Sequence, residues 1–459
     1  MIRHKLSLIR MLVFGLLVLT IASGPALAVT TFGAAQALPA GPLLASQLFK
    51  LTPNAGEASD QFGFSTAMSG DVLVISAYQD DVGANVDQGS AYVFARNQGG
   101  ADNWGFVKQL LANDGAAGDH FGSGVAVSGD VIVIGAYLDA VNGKAGQGSA
   151  YVFSRNEGGM DNWGFVKQLL ADDGAAGDSF GFSVGVSGDV AIVGAYGDSV
   201  SANLTQGSAY VFARNQGGTN QWGQIKHLFA NDGTAGYSFG HAVAISADVA
   251  VVGTQAKIGG HDYQGSAYVF TRDQGGTNNW GFVKQLIADD GAAYDLFGQS
   301  VAVSGDVVVT GAPGKAVNTA GSQGSAYLFG RNQSGTNQWG FIKQLHTNDG
   351  EVNDHVGSSV AADGDVVVVG ADSGGFANHG AAYVFTRNRG GTNNWGFVQR
   401  LMADDGEAYD YFGQSVAVNS GLDLVVAGAL LDSNQAGSAY LFDNVSYTDY
   451  LTYLPLVMR

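Results

Sequence analysis

The chain has 459 residues and a net charge of −19, from 40 acidic against 21 basic side chains, and it contains 70 glycines, 6 prolines and no cysteine. That balance argues against nucleic acid or anionic lipid as a partner, since both are bound through clustered Lys and Arg. Without cysteine there is no disulfide framework, no thiolate metal site and no lipid anchored on a cysteine.

In chain order, a basic stretch from Arg3 to Arg10 precedes an apolar run from Met11 to Ala22 and the small-residue pattern Ala26-Leu27-Ala28. This is the form of a cleavable export signal over residues 1–28, followed by a lead-in over 29–44. No later segment reaches the roughly 18 uninterrupted apolar residues of a membrane span, so the mature protein is expected to be soluble and secreted or held at the cell surface. Abundant glycine with few prolines points to tight turns between short strands.

Phe-Gly then recurs at Phe62-Gly63, Phe121-Gly122, Phe180-Gly181, Phe239-Gly240, Phe297-Gly298 and Phe412-Gly413, with Val356-Gly357 in the remaining place. Seven copies at this regular spacing mean one supersecondary unit repeated, with neighbours burying each other's faces. In the second copy, residues 123–128 and 131–136 read as strands A and B joined by the turn Ser128-Gly129-Asp130. Gly148-Ser149-Ala150-Tyr151-Val152-Phe153 reads as strand C, and the segment from Trp163 to Leu170 as strand D. Four antiparallel strands per copy, with no helical periodicity, predict an all-β, seven-bladed β-propeller over residues 45–446. The last copy lacks its Trp-Gly-Phe strand, and Ser46-Gln47-Leu48-Phe49-Lys50-Leu51 is expected to supply it and close the ring, leaving no free sheet edge. Residues 447–459 form an apolar tail too short to cross a membrane.

The run Phe297-Gly298-Gln299-Ser300-Val301-Ala302-Val303-Ser304-Gly305-Asp306, with Gly311-Ala312-Pro313 after it, resembles the FG-GAP repeat of integrin α-subunit propellers. The likeness is greatest to the shorter variety in bacterial exported proteins. The resemblance implies the propeller fold and a range of roles that includes adhesion and ligand binding. Integrin-like members hold calcium in an Asp-x-Asp-x-Asp-Gly loop between strands A and B. Here those turns are Ser69-Gly70-Asp71 and its equivalents, too short and too poor in carboxylates, so the calcium sites do not carry over.

A different acidic cluster recurs between strand D and the next strand A: Asp114 with Asp119, Asp172 and Asp173 with Asp178, Asp289 and Asp290 with Asp295, Asp349 with Asp354, Asp404 and Asp405 with Asp410. Two readings stand side by side. Asp-Gly forms a turn and the later Asp caps backbone amides; or the carboxylates approach across the loop and take calcium, a hard cation suited to oxygen donors, although no cofactor is required. Propeller geometry puts the D–A and B–C loops on one face, which is therefore acidic, while Arg96, Arg155, Arg214, Arg272, Arg331 and Arg387 mark the C–D hairpins on the other. The expectation is an electrically polarised molecule. The recurrent Phe, Tyr and Trp are expected to pack between blades.

Function in a symmetric scaffold belongs where symmetry breaks. The fourth copy has Tyr237 for the usual Asp, Gly253-Thr254-Gln255 for Gly-Ala-Tyr, and Lys257, His261 and Asp262 in its B–C loop, the candidate ligand-binding residues. No nucleophile elbow, metalloprotease motif or phosphate loop is present. The leading expectation is a monomeric, non-enzymatic binding or adhesion scaffold for an extracellular protein or glycan. The alternatives are a carbohydrate-active hydrolase or lyase using the plentiful carboxylates, and a structural envelope protein.

Overall fold

The computed structural model describes residues 45–53, 57–317, 321–333, 335–347, 349–374 and 379–445. The assigned signal, lead-in and tail lie outside these residues, as does Asn348 of one acidic loop. Among the described residues no helix is long and apolar enough to cross a membrane.

Twenty-eight strands, from β1 (Ser46–Leu51) to β28 (Ser438–Asp443), form seven antiparallel four-stranded sheets. Blade 2 shows the pattern with β6 (Phe121–Ser128), β7 (Val131–Ala136), β8 (Ser149–Ser154) and β9 (Gly164–Leu169) hydrogen-bonded in that order. Strand D begins one residue after the expected tryptophan. Trp163 itself is buried in a left-handed backbone conformation just before the strand. The innermost strands of all seven blades line a central channel with small side chains such as Ala126, Val127, Gly185 and Ala244.

Each apolar cluster is shared by two neighbouring blades, which is why a single repeat cannot bury its own faces. Val74, Val93 and Leu110 of blade 1 pack with Phe121, Ile134, Tyr151 and Trp163 of blade 2. Burying a side chain of this size stabilises by roughly 1.5–3 kcal/mol. Glycine permits the blades to close on one another. A Cβ on Gly135 would lie 1.7 Å from the carbonyl oxygen of Gly181 in blade 3, and Gly181 itself sits at φ +97°. The Phe-Gly and Gly-Ala signatures are therefore two sides of one inter-blade contact.

The ring closes as the sequence predicts. β1 pairs antiparallel with β28, in blade 7, after β26 (Phe412–Asn419) and β27 (Leu424–Ala429). Its register sets Lys50 opposite Tyr440, as Gln109 stands opposite Tyr92 in blade 1. Leu51 joins Phe62, Leu73, Trp104 and Leu441 in the cluster that joins the last blade to the first.

The hairpin face corrects the expected polarisation. Arg155 binds Asp71 of the preceding blade's A–B turn at 2.8 Å and Asp161 at 2.6 Å, and its guanidinium lies over the Trp163 ring. Arg214 with Asp130 and Asp189, Arg331 with Asp248 and Asp306, and Arg387 with Asp365 repeat the arrangement. Arg96 pairs with Asp102, and Arg272 donates to the Ala247 carbonyl. Four of these six arginines are thus matched by aspartates of the A–B turns, and this face is largely a set of ion pairs instead of a free basic surface. Exposed pairs of this kind are each worth about 0–1 kcal/mol, so their role is registration more than stability.

Candidate functional site

The face bearing the B–C and D–A loops is built first from a repeated polar clasp. In blade 2 the B–C loop supplies Asp139, β8 supplies Ser149 and Tyr151, β9 supplies Gln168, and the loop arriving from blade 1 supplies Asp114. Ser149 donates to Asp139 at 2.6 Å, and Tyr151 donates to Asp114 at 2.7 Å with Asp139 3.1 Å away. The Gln168 amide donates to Asp114 and contacts the Tyr151 hydroxyl, both at 3.1 Å. The Tyr of Ser-Ala-Tyr is therefore half core and half polar link between blades, and burial pushes its hydroxyl pKa far up.

The clasp varies at the Gln position. His227 stands there in blade 3, 2.7 Å from Ser208 and 3.4 Å from Asp173. In blade 7 it is Lys50, 2.7 Å from both Asp405 and Asp432. Tyr327 donates to Asp290, Tyr440 to Asp405, and Arg400 pairs with Asp349.

The later aspartates of the acidic loops hold the chain in turns. Asp119 accepts from the Ala116 amide at 2.6 Å, Asp295 from Ala292 at 2.8 Å, Asp354 from Glu351 at 2.7 Å, and Asp178 and Asp410 do likewise with Ala175 and Glu407. Asp172, Asp289 and Asp404 are exposed at the loop surface. Among the described residues, no three or more His, Asp or Glu side chains come together as a metal-binding group.

These turn-forming aspartates are buried against a second carboxylate, and burial pushes Asp60, Asp119 and Asp178 up to about 6, with Asp80, Asp139 and Asp198 adding repulsion. Asp410 is raised in the same way beside Asp432. The pairing holds through blades 7, 1, 2 and 3 and then stops. In blade 5 the partner is Lys315, whose ammonium lies 3.2 Å from Asp295 and 3.1 Å from Asp290. In blade 4 both carboxylates are gone. Tyr237 fills one place, and the backbone contact from Gly265 to Ala256, which matches that from Gly148 to Asp139, puts Ala256 in the other.

Blade 4 also differs outwardly. Lys257 and Asp262 of its B–C loop form an exposed ion pair at 2.7 Å, and His261 is exposed beside them. The same loop carries Tyr263, 49% exposed, and the following D–A loop carries Tyr294, 61% exposed. Their rings stack at 5.7 Å and 24°. The loops are tied together by the Tyr294 amide donating to the Asp262 carbonyl and that of Leu296 to the Tyr263 carbonyl. Both tyrosines adopt left-handed backbone, φ 53° and 67°, and the place of Tyr294 is held by Gly118 and Gly177 in blades 2 and 3. A side chain in that region costs roughly 1–2 kcal/mol. Sequence reading brought out Lys257, His261 and Asp262 but missed both tyrosines; the signal was a large aromatic in each of two turn slots that face one another across the loops.

Where strand A starts, a belt of rings crosses blades 1 to 4. Phe64 packs on Tyr78, Tyr78 on His120, His120 on Tyr137, Tyr137 on Phe182, and Phe182 on Tyr196 and His241. Burial pulls His241 down to about 4, so it is neutral at physiological pH. Beyond it, Gln255 and Gln299 join by their side-chain amides at 2.7 Å.

Fold and site together define a closed seven-bladed β-propeller with structural clasps between blades and its main departures from symmetry at the fourth blade. More particularly, the chain belongs to the FG-GAP repeat family, whose repeat matches residues 45–94, 104–153, 163–212, 222–270, 280–329, 339–385 and 395–442, well over half of the chain. Each matched segment opens on a strand D and ends in the next blade's strand C, so the sequence repeat is offset from the blade by one strand. No curated protein matches the chain.

Proposed function

We propose that the chain is an exported, non-enzymatic scaffold that binds an extracellular glycan through the blade 4 sector of its loop face. The observation that carries this reading is the stacked, solvent-exposed Tyr263–Tyr294 pair, both held in left-handed backbone. Strained backbone that supports an exposed aromatic platform is a feature of binding sites. Pyranose rings present apolar C–H faces that suit such a platform, and Lys257, Asp262 and His261 beside it supply hydrogen-bonding partners for hydroxyls. FG-GAP repeats are typical of extracellular or exported proteins, in keeping with the export signal read at the N-terminus.

The burial of the carboxylates with raised pKa favours binding over hydrolysis. A general acid has to reach a glycosidic oxygen, whereas Asp119 is 4% exposed and already bound to a backbone amide. The reading needs no calcium, because the loop aspartates accept hydrogen bonds from protein donors. Titrating calcium after chelation tests that point: a saturable rise in unfolding midpoint would assign a metal to the D–A loops.

The direct test is a glycan array probed with the wild-type chain and a Tyr263→Ala/Tyr294→Ala variant. We expect selective glycan binding that the double substitution weakens at least about tenfold with no fall in unfolding midpoint. Absence of any glycan hit, or hits that survive both substitutions, would sink the reading.

A further inference from the structure

The junction of blades 3 and 4 carries a second departure from symmetry, on the outer rim instead of the loop crown. Phe229 follows β13 (Gly223–Leu228), and Phe282 lies in β17 (Gly281–Leu286), the outer strand of blade 4. Together with Asn231, Asp232, Tyr268 and Gln285 they line a cleft of ≈ 250 Å³. The place of Phe229 is taken by Thr52, Leu111, Leu170, Ile287, His346 and Met402 at the other junctions, so this cleft has two phenylalanine walls where the others have at most one. Phe229 and Phe282 are 38% and 44% exposed, while the Tyr268 ring between them is buried.

The polar groups of the cleft are only partly used. Tyr268 donates to one oxygen of Asp232 at 2.8 Å, and the Gln285 amide nitrogen contacts the Tyr268 hydroxyl at 2.8 Å and Ser266 at 3.2 Å. This leaves the second Asp232 oxygen, the Gln285 carbonyl oxygen and the Asn231 amide for a ligand. The B–C carboxylate that completes the clasp in blades 1, 2, 3 and 7 is absent here, with Ala256 in its place.

We propose that this cleft is a binding subsite for one neutral pyranose unit of a glycan. Aromatic walls take the C–H faces of the ring, and planar Asp, Asn and Gln side chains exchange hydrogen bonds with its hydroxyls. No cation lines the cleft and the chain carries −19, which disfavours acidic sugars. The inference takes its ligand class from the glycan reading above but rests on different residues, so the two fail separately.

The test is titration of the intact chain with methyl glycosides of neutral hexoses, followed by ligand-observed NMR. Phe229→Leu is the informative variant, because leucine already occupies that place at Leu170 and the fold is preserved. In the Tyr263→Ala/Tyr294→Ala background, which removes the loop-face platform, we expect saturable binding that a further Phe229→Leu weakens by about tenfold. No saturable binding by any neutral glycoside, binding indifferent to Phe229→Leu, or equal binding of a hexuronic acid overturns the proposal. Loss on the tyrosine variant alone would assign the sugar to the loop face and refute the rim site.

Discussion

Blades 2 and 4 are copies of one unit and use it differently. In blade 2 the two buried aspartates, Asp119 and Asp139, line a cleft of ≈ 490 Å³ between the loops, and Asp139 ties Ser149 and Tyr151 to the B–C loop. In blade 4 Tyr237 and Ala256 replace that carboxylate pair, the loops carry a stacked tyrosine pair outward, and the rim opens between Phe229 and Phe282. The residues common to the blades hold the ring together. Of those that depart from the common pattern, Tyr237 and Ala256 are buried in the cluster between blades 3 and 4, whereas Tyr263, Tyr294 and Phe229 are exposed.

The sharpest way to break the comparison is to alter a shared residue. Gly135→Val drives a side chain into the Gly181 carbonyl, and we expect more than about 3 kcal/mol of destabilisation, read as loss of soluble, cooperatively unfolding protein. A retained native midpoint would contradict the tight blade contact.

The carboxylate pairs come next. Asp119 stands at about 6 in the folded protein, against about 4 for an unperturbed aspartate, so the folded state holds its proton across that interval. Its contribution to stability is complete below pH 4 and is lost as pH rises through 6. Asp119→Asn keeps an oxygen for the Ala116 amide and removes the repulsion from Asp139. We expect the variant to exceed wild type by about 1–3 kcal/mol at pH 7.5 and to match it at pH 4, measured by denaturant unfolding at both values. An equal difference at the two pH values would exclude a buried proton at this residue.

The smallest effect is predicted at blade 4. Tyr294→Gly restores the glycine of blades 2 and 3 and relieves left-handed backbone, so stability should rise by up to about 1 kcal/mol while glycan binding falls. Loss of stability would mean that Tyr294 is part of the packing.

The fold was legible in the sequence because a repeat states the same evidence seven times: Phe-Gly, Ser-Gly-Asp, Ser-Ala-Tyr and Trp-Gly-Phe each mark one strand or turn. Even the closing strand at 46–51 could be read, from the missing tryptophan of the last copy. The register that puts Lys50 between Asp405 and Asp432 could not, because it depends on pairing across almost the whole chain. The match of Arg155 to Asp71, 84 residues away, was hidden for the same reason. Ala256 was missed because a loop one residue shorter shifts the alignment. Tyr263, Tyr294 and Phe229 were missed because reading by consensus looks past departures from the common residue.

The closing strand also fixes how the molecule would bear a load. Ser46, the first residue of β1, pairs with Asp443, the last of β28, so the chain enters and leaves the ring side by side. It does so on the hairpin side, and a tether at either point turns the loop face of Tyr263 and Tyr294 outward. Tension drawn between the two points would peel β1 from β28 one residue pair at a time, so the ring would open at its seam before any of the other six blades came under strain.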